Sequence, residues 1–330
     1  MNLYINVAFN HFAAVREWAA QAGADAFVDM KDFTLEVKHK GRYYRMYPLF
    51  QGTVQGRAVH LTELTPDVRG FGGWKPYDLF THSHSTDKQK FKEFLVECDI
   101  RSPALLDAGQ GCRQHDYVVK ARSGSFGQGL FGPYRAGARP RVPEHDVIAH
   151  GSMFAEEFVQ GQILKVWFWG ARPFFAHVHS YPTIVGDGTS TVEVLLERKV
   201  SAARLPWEGF RACTVAAACL EFQGASPGTV LGHGSELWID YRYRQQYSPN
   251  VQIVSAGDNQ LEELLEQSGR QVEEMGQALA GLLRRTTRLP VLISVDGMLD
   301  ASGRIWWLEM NTNSLLPPEG YSVMFADLFP

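Results

Sequence analysis

Asp296, Glu309 and Asn311 carry oxygen at a spacing that can hold a cation. They lie on Val291–Leu299 and Arg304–Asn311, two stretches that read as strands joined at Asp-Ala-Ser-Gly. A four-residue loop, Asp300–Gly303, would set Leu299 opposite Arg304. Val295 then faces Leu308 and Ile293 faces Met310 on an apolar side. On the other side Asp296 opposes Trp307, one diagonal step from Glu309. Glu309 and Asn311, two residues apart, point the same way with their bases ~6.6 Å apart. Carboxylate and amide oxygens gathered on one face suit a hard divalent cation, with water or phosphate completing the shell. The competing reading is the solvated face of an amphipathic hairpin. Trp306 and Trp307 beside the acids speak against full exposure.

A second group sits earlier. The short strand Tyr117–Lys120 runs into Arg-Ser-Gly-Ser-Phe-Gly-Gln-Gly, which contains Ser123, Gly124, Ser125, Gly127 and Gly129. Peptide N–H groups exposed by glycines can wrap phosphate oxygens, and a lysine ammonium can neutralise them. No G-K-[ST] follows, and the order G-x-x-G-x-G is not a dinucleotide fingerprint. A surface loop is the equal alternative. The third group, Glu156-Glu157-Phe158-Val159, ends a β run before Gly161. It could flank an adenine whose amino group needs carbonyl acceptors, or it is a solvated strand end.

In this order the pieces resemble the ATP-grasp superfamily, in its glutathione synthetase, cyanophycin synthetase and D-alanine–D-alanine ligase branch. Asp87-Lys88 with Phe91 resembles the opening lysine helix, and Val118-Val119-Lys120 with its glycine loop resembles the phosphate lysine and lid. Glu156 to Val159 resembles the adenine hinge, and Asp296, Glu309 and Asn311 the magnesium ligands. Pro182–Val192 with Leu195 resembles a further segment of that branch. The match runs over residues 86 to 318. Ala121 stands where relatives often have proline, Gln162 where many carry an acid for the ribose, and His179-Ser180 where an arginine is frequent.

The resemblance implies an ATP-grasp fold, with two α+β subdomains clamping ATP between antiparallel sheets after a small N-terminal domain. It implies ATP and Mg²⁺ (or Mn²⁺), an acyl-phosphate intermediate, and release of ADP and phosphate. Lys88 and Lys120 would hold the α- and β-phosphates. Ser123, Gly124, Ser125, Gly127 and Gly129 would cover the transferring group. Arg242 and Arg244, in Ile-Asp-Tyr-Arg-Tyr-Arg, are candidate catalytic residues for the carboxylate or its phosphate, because a guanidinium fork suits both. A strand with solvated basic residues is the competing reading. The expected activity is ligation of a small carboxylate, an amino acid or short peptide, to an amine. A phosphotransferase of the same fold and an ATP-binding regulatory module are the rivals.

Other elements must position these groups. Residues 3–8 read as a strand, and 11–22 as a helix with Phe12, Val15, Trp18 and Ala19 on one side. Two hairpins are expected, about Lys40-Gly41 and Gln55-Gly56, then a glycine-rich loop, Arg69–Tyr77. Thr86 or Asp87 caps a helix bearing Phe91, Phe94 and Leu95, and Met153–Val159 reads as a strand. Ile163–Trp169 and Pro173–Tyr181 pair over Gly170-Ala171, and Ser190–Lys199 begins a helix capped at Thr189 or Ser190. Leu261–Arg285 reads as one long helix. The fold class is α+β on mostly antiparallel sheets. The expected domains are 1–85, a lid at 86–155, and a metal and substrate part at 156–330.

Composition excludes other classes. The chain has 330 residues, 32 basic against 36 acidic, and a net charge of −4. Nothing suggests a field for a nucleic-acid backbone, and Arg135, Arg139 and Arg141 read as a solvated rim. Apolar runs such as Val215–Leu220 fall short of the ~20 residues that span a bilayer, so no membrane partner is expected. The N-terminus has no basic region before an apolar core, so no signal peptide is expected. The four scattered cysteines, Cys98, Cys112, Cys213 and Cys219, point to a reducing compartment, the cytoplasm. A homodimer is left open. His82-x-His84 and His177-x-His179 have the spacing of same-face strand pairs, and without a third ligand they are not read as metal sites.

Overall fold

The computed structural model describes all residues except 1–2, 56, 108–109, 125–128, 151, 204, 206, 208–213, 244–257 and 288–289. Ser125, Gly127, Cys213 and Arg244 therefore lie outside the described residues. The N-terminal region holds α1 (Leu3–Ala22), β1 (Asp25–Val28), β2 (Leu35–His39), β3 (Arg42–Val54), β4 (Arg57–Leu61) and β5 (Val68–Lys75). Next come α2 (Ser83–Thr86), α3 (Lys88–Glu97), β6 (Leu105–Leu106), α4 (Gly111–Gln114), β7 (Tyr117–Ala121), β8 (Leu130–Tyr134), α5 (Glu144–His150) and β9 (Met153–Glu157). The remainder begins with β10 (Gln162–Trp169), β11 (Arg172–His179), β12 (Thr183–Val185), α6 (Val192–Ala202), α7 (Thr214–Phe222) and β13 (Glu236–Trp238). It ends with α8 (Leu261–Ser268), α9 (Gln271–Leu283), β14 (Leu292–Leu299), β15 (Ile305–Asn311) and α10 (Gly320–Leu328).

The fold is α+β on antiparallel sheets, as the sequence pattern predicts. One sheet runs β1-β2-β3-β4 with β5 on β3; a second runs β6-β9-β7-β8; a third runs β11-β10-β14-β15. β12 pairs with β13 as a small ribbon.

Several local expectations hold. Lys40 and Gly41 both take positive φ, 48° and 76°, as a two-residue β2–β3 turn requires. Asp87 accepts from the N–H groups of Gln89 and Lys90 and so starts α3.

Four expectations are corrected. Residues 3–8 are the first turns of α1 and not a strand. Ala8, His11, Val15 and Ala19 are all buried, so the helical period reaches residue 8 and tertiary burial overrides strand propensity. Arg69–Lys75 is not a loop but most of β5, with Phe71 opposite Phe50 and Trp74 opposite Pro48. Its glycines permit close approach: a Cβ at Gly72 would fall 2.7 Å from Leu315. Helix α6 starts after Thr191, because Asp187 already binds the N–H and hydroxyl groups of Thr189 and Ser190 in a turn. The long helix is two, broken at Gly269, whose φ is 61°.

The third sheet organises the core. One face, with Leu164, Val166, Phe168, Ile293 and Val295, packs on α3, α8 and α9 through Phe91, Leu264 and Met275. The other face, with Trp167, Trp169 and Leu292, packs on α10 and the first sheet through Phe325, Trp74 and Phe50. No helix among the described residues is long and apolar enough to cross a membrane.

Candidate active site

On that second face four polar side chains stand in one cross-strand row. His177 of β11 opposes Lys165 of β10, Lys165 opposes Asp296 of β14, and Asp296 opposes Glu309 of β15. This corrects the expected hairpin register. Leu299 pairs with Ile305, not Arg304, so the loop has five residues, 300–304. Gly297 faces Trp307 but Asp296 faces Glu309, which leaves Leu308 as a bulge. Without the bulge Glu309 would oppose Val295 on the apolar face. With it, Glu309 lies directly across from Asp296, and Asn311 pairs with Ser294 on the same face.

Lys165 Nζ lies 2.6 Å from Asp296 Oδ1, and Asn311 Nδ2 donates to Asp296 Oδ2 at 3.0 Å. Burial and the neighbouring Glu309 charge push the Asp296 carboxyl up, against Lys165. Burial also works against ionising Glu309, but Lys88, Lys120 and Lys165 outweigh it and hold that carboxyl below its usual range. Two carboxylates and an amide oxygen fit a hard cation such as Mg²⁺ or Mn²⁺. Among the described residues no group of three His, Cys, Asp or Glu side chains is arranged to hold a metal ion.

The lysines come from the other side. Lys88 opens α3 and donates from its backbone N–H to Arg122 O at 3.0 Å. Its Nζ donates to Gly124 O at 2.6 Å and lies 3.2 Å from Glu309 Oε2. One ammonium thus ties the glycine loop to the large sheet. One turn along α3, Lys92 reaches Glu156 Oε2 at 2.6 Å, and Lys120 of β7 reaches Glu156 Oε1 at 2.6 Å. Lys92 and Glu156 are each 1% exposed, so the clamp is interior. Burial favours the neutral acid, yet the two ammonium groups hold the Glu156 carboxyl below its usual range.

The remaining predicted residues spread around this centre. Ser123 lines a cleft of about 330 Å³ with Ser83, Thr86, Lys90, and the Asp87–Arg122 ion pair at 2.7 Å. Gly124 and Gly129 take positive φ, 136° and 66°, as a tight loop requires. Glu157 is 3.9 Å from His115, and its N–H is taken by Ala104 O. Phe158 sits edge-on to Phe222 and Tyr241, Val159 is half-buried, and Gln162 is exposed at the start of β10. Arg242 lies against its near neighbour Asp240, 2.8 Å from Oδ2. His82 and His84 are in and beside α2, not a strand; His177 and His179 do share a strand face.

Sequence reasoning missed Lys92, Lys165 and Tyr243. Lys92 follows Lys88 by four residues, one helical turn. Lys165 is the lone charge in an otherwise apolar strand core. Tyr243 gives no such signal: its ring lies 4.8 Å from Lys165 Nζ, and its hydroxyl 3.1 Å from His177 Nδ1, only in the folded chain.

No protein-family model matches the chain, and no curated protein does. Solved structures do. A D-alanine–D-alanine ligase from Bacillus anthracis is similar at 14% identity and a TM-score of 0.36, over 74% of this chain and 65% of that one. A bifunctional glutathione synthetase from Pasteurella multocida is similar at 12% identity and a TM-score of 0.40, over 92% of this chain and 40% of that one. An ATP-grasp ligase complexed with a minimal precursor is similar at 13% identity and a TM-score of 0.32, over 74% of this chain and 62% of that one. The chain spans less than two thirds of the length of each of these.

Proposed function

We propose that this chain is an ADP-forming carboxylate–amine ligase that activates a carboxylate with the γ-phosphoryl group of ATP. The observation that carries the reading is the position of Lys88, between Glu309 of the large sheet and Gly124 of the glycine loop. Phosphoryl transfer needs in-line positioning and neutralised charge more than covalent help. Lys88 and Lys120 supply cations from two elements, and the Lys92–Glu156 pair fixes where the Lys120 ammonium points. The loop from Ser123 to Gly129 would offer amides to phosphate oxygens and keep water from an acyl phosphate. Glu156 to Val159 would flank the adenine and Gln162 the ribose. Arg242 and Arg244 would meet the carboxylate.

Asp296, Glu309 and Asn311 would hold Mg²⁺ or Mn²⁺, which supplies further charge neutralisation on the phosphates. Lys165 keeps the Asp296 carboxylate oriented toward that site. The substrates would be an amino acid or short peptide and an amine, in the cytoplasm. Residues 1–85 would form a substrate domain, 86–155 the lid and 156–330 the metal-bearing part.

The test is incubation with Mg·ATP, hydroxylamine and each common amino acid in turn. The ligase reading expects carboxylate-dependent ADP and phosphate, with a hydroxamate from the trapped acyl phosphate. Glu309→Gln should lower ADP release by about 10²-fold or more with an unchanged far-UV spectrum. AMP as the main product, or ADP with a stable phosphorylated product and no hydroxamate, would refute it.

A further inference from the structure

The ligase reading leaves His179 without a task. His179 projects from β11 on the face that carries His177, Lys165 and Asp296. Neighbouring strands lie ~4.8 Å apart, so β11 is ~10 Å from the acid-bearing β14. His179 Nδ1 is 3.1 Å from the Ser180 carbonyl oxygen. A carbonyl only accepts, so Nδ1 carries the hydrogen and Nε2 carries the lone pair. The ring is half-buried, its Nε2 is buried, and among the described residues that Nε2 has no hydrogen-bond partner. A buried bare acceptor is a cost that native folds rarely keep without a use.

Its surroundings lead back to the acids. The His179 ring is 5.1 Å from His177 and 5.6 Å from Tyr243. Tyr243 feels the charge of both Asp296 and Asp258, and Lys165 Nζ lies over its ring. Among the described residues, His177 on its own strand and Tyr243 after β13 face His179, and through them Lys165 of β10 and Asp258 before α8 come next. Burial lowers the His179 pKa, so the ring is neutral and able to accept.

We propose that His179 Nε2 is the proton acceptor for the incoming amine, and that the amine substrate arrives as an ammonium ion. The inference rests on the ligase reading. The ammonium gives one proton to Nε2, which passes it to water. The freed nitrogen lone pair attacks the carbonyl carbon of the acyl phosphate and forms the C–N bond. The C–O bond to phosphate breaks, its electron pair leaves with the phosphate, and the second nitrogen proton leaves as part of hydrogen phosphate.

His179→Asn tests this, because asparagine keeps a donor for the Ser180 carbonyl and deletes Nε2. The probes are hydroxylamine, already unprotonated at neutral pH, and methylamine and glycine, which are protonated. Hydroxamate formation should persist within about two-fold, while amide from methylamine or glycine falls by about 10²-fold or more. Parallel loss with both kinds of nucleophile, or no loss with either, overturns the proposal. So does a wild-type enzyme that condenses hydroxylamine alone. Nitrogen-15 spectra should place the His179 proton on Nδ1, and a proton on Nε2 also overturns it. A wild-type enzyme that makes no hydroxamate with any acid refutes the ligase reading itself.

Discussion

Glu156 meets two ammonium groups, Lys92 and Lys120, each at 2.6 Å. Taking three charges into the interior costs solvation, and only close pairing offsets it. Burial pulls the Lys92 pKa down and Glu156 holds it up, so each charge depends on the other. Glu156→Gln keeps the shape but leaves Lys92 buried and unpaired. It should cost about 3–5 kcal/mol, read as a lower urea midpoint. Replacing Lys92 by Met in the same chain should restore part of that loss, since the burial penalty then disappears for one cation. A cost under about 1 kcal/mol for the single variant would mean that the clamp is not tight in solution.

At the scale of elements, two breaks in regularity shape the molecule. The Leu308 bulge turns Glu309 and Asn311 to the face of Asp296, so one extra residue in β15 decides whether the acids meet. The Gly269 break divides α8 from α9 and lets Leu264 and Val272 both reach the core beneath the sheet. Gly269 has φ 61° and ψ −132°, a conformation that L side chains avoid, while a Cβ there would meet open space. Gly269→Ala therefore isolates backbone strain. It should destabilise by about 1–3 kcal/mol in urea unfolding without lengthening either helix by circular dichroism. A gain in helix content with no loss of stability would show that the break is not needed.

Across the whole molecule, His11 of α1 ties the start of the chain to its end. Trp74 N–H donates to the Tyr321 hydroxyl at 3.0 Å, which leaves the hydroxyl hydrogen for His11 Nδ1, also at 3.0 Å. Burial lowers the His11 pKa to about 3, against 6.5 unfolded. The unfolded chain therefore binds the extra proton between those values. Stability from this group is complete above about pH 6.5 and is lost as pH falls toward about 3, by at most about 1.4 kcal/mol per unit. His60 and His177, each lowered to about 4, act with the same sign. His11→Gln keeps a partner for Tyr321 and should flatten the slope of urea stability against pH in that window. An unchanged slope would place the proton elsewhere.

What the sequence determined by itself is local. Alternation marked β2–β3, β10–β11 and β14–β15, turn chemistry marked Lys40-Gly41, and an aspartate cap marked the helix that begins at Lys88. The order of Lys88, Lys120, Glu156, Asp296, Glu309 and Asn311 was legible for the same reason, since each sits in or beside a short element with a clear pattern. Only the tertiary structure decided the rest. Residues 3–8 became helix as the start of α1, whose face from Ala8 to Ala19 meets a core, and Arg69–Lys75 became strand because β3 pairs with it. The register that sets Glu309 against Asp296 depends on a bulge that no alternation encodes. Lys165, Lys92 and Tyr243 gain meaning only from partners 131, 64 and 66 positions away, Asp296, Glu156 and His177. Periodicity reports which side of an element is buried, but it carries no information about which other element will cover it.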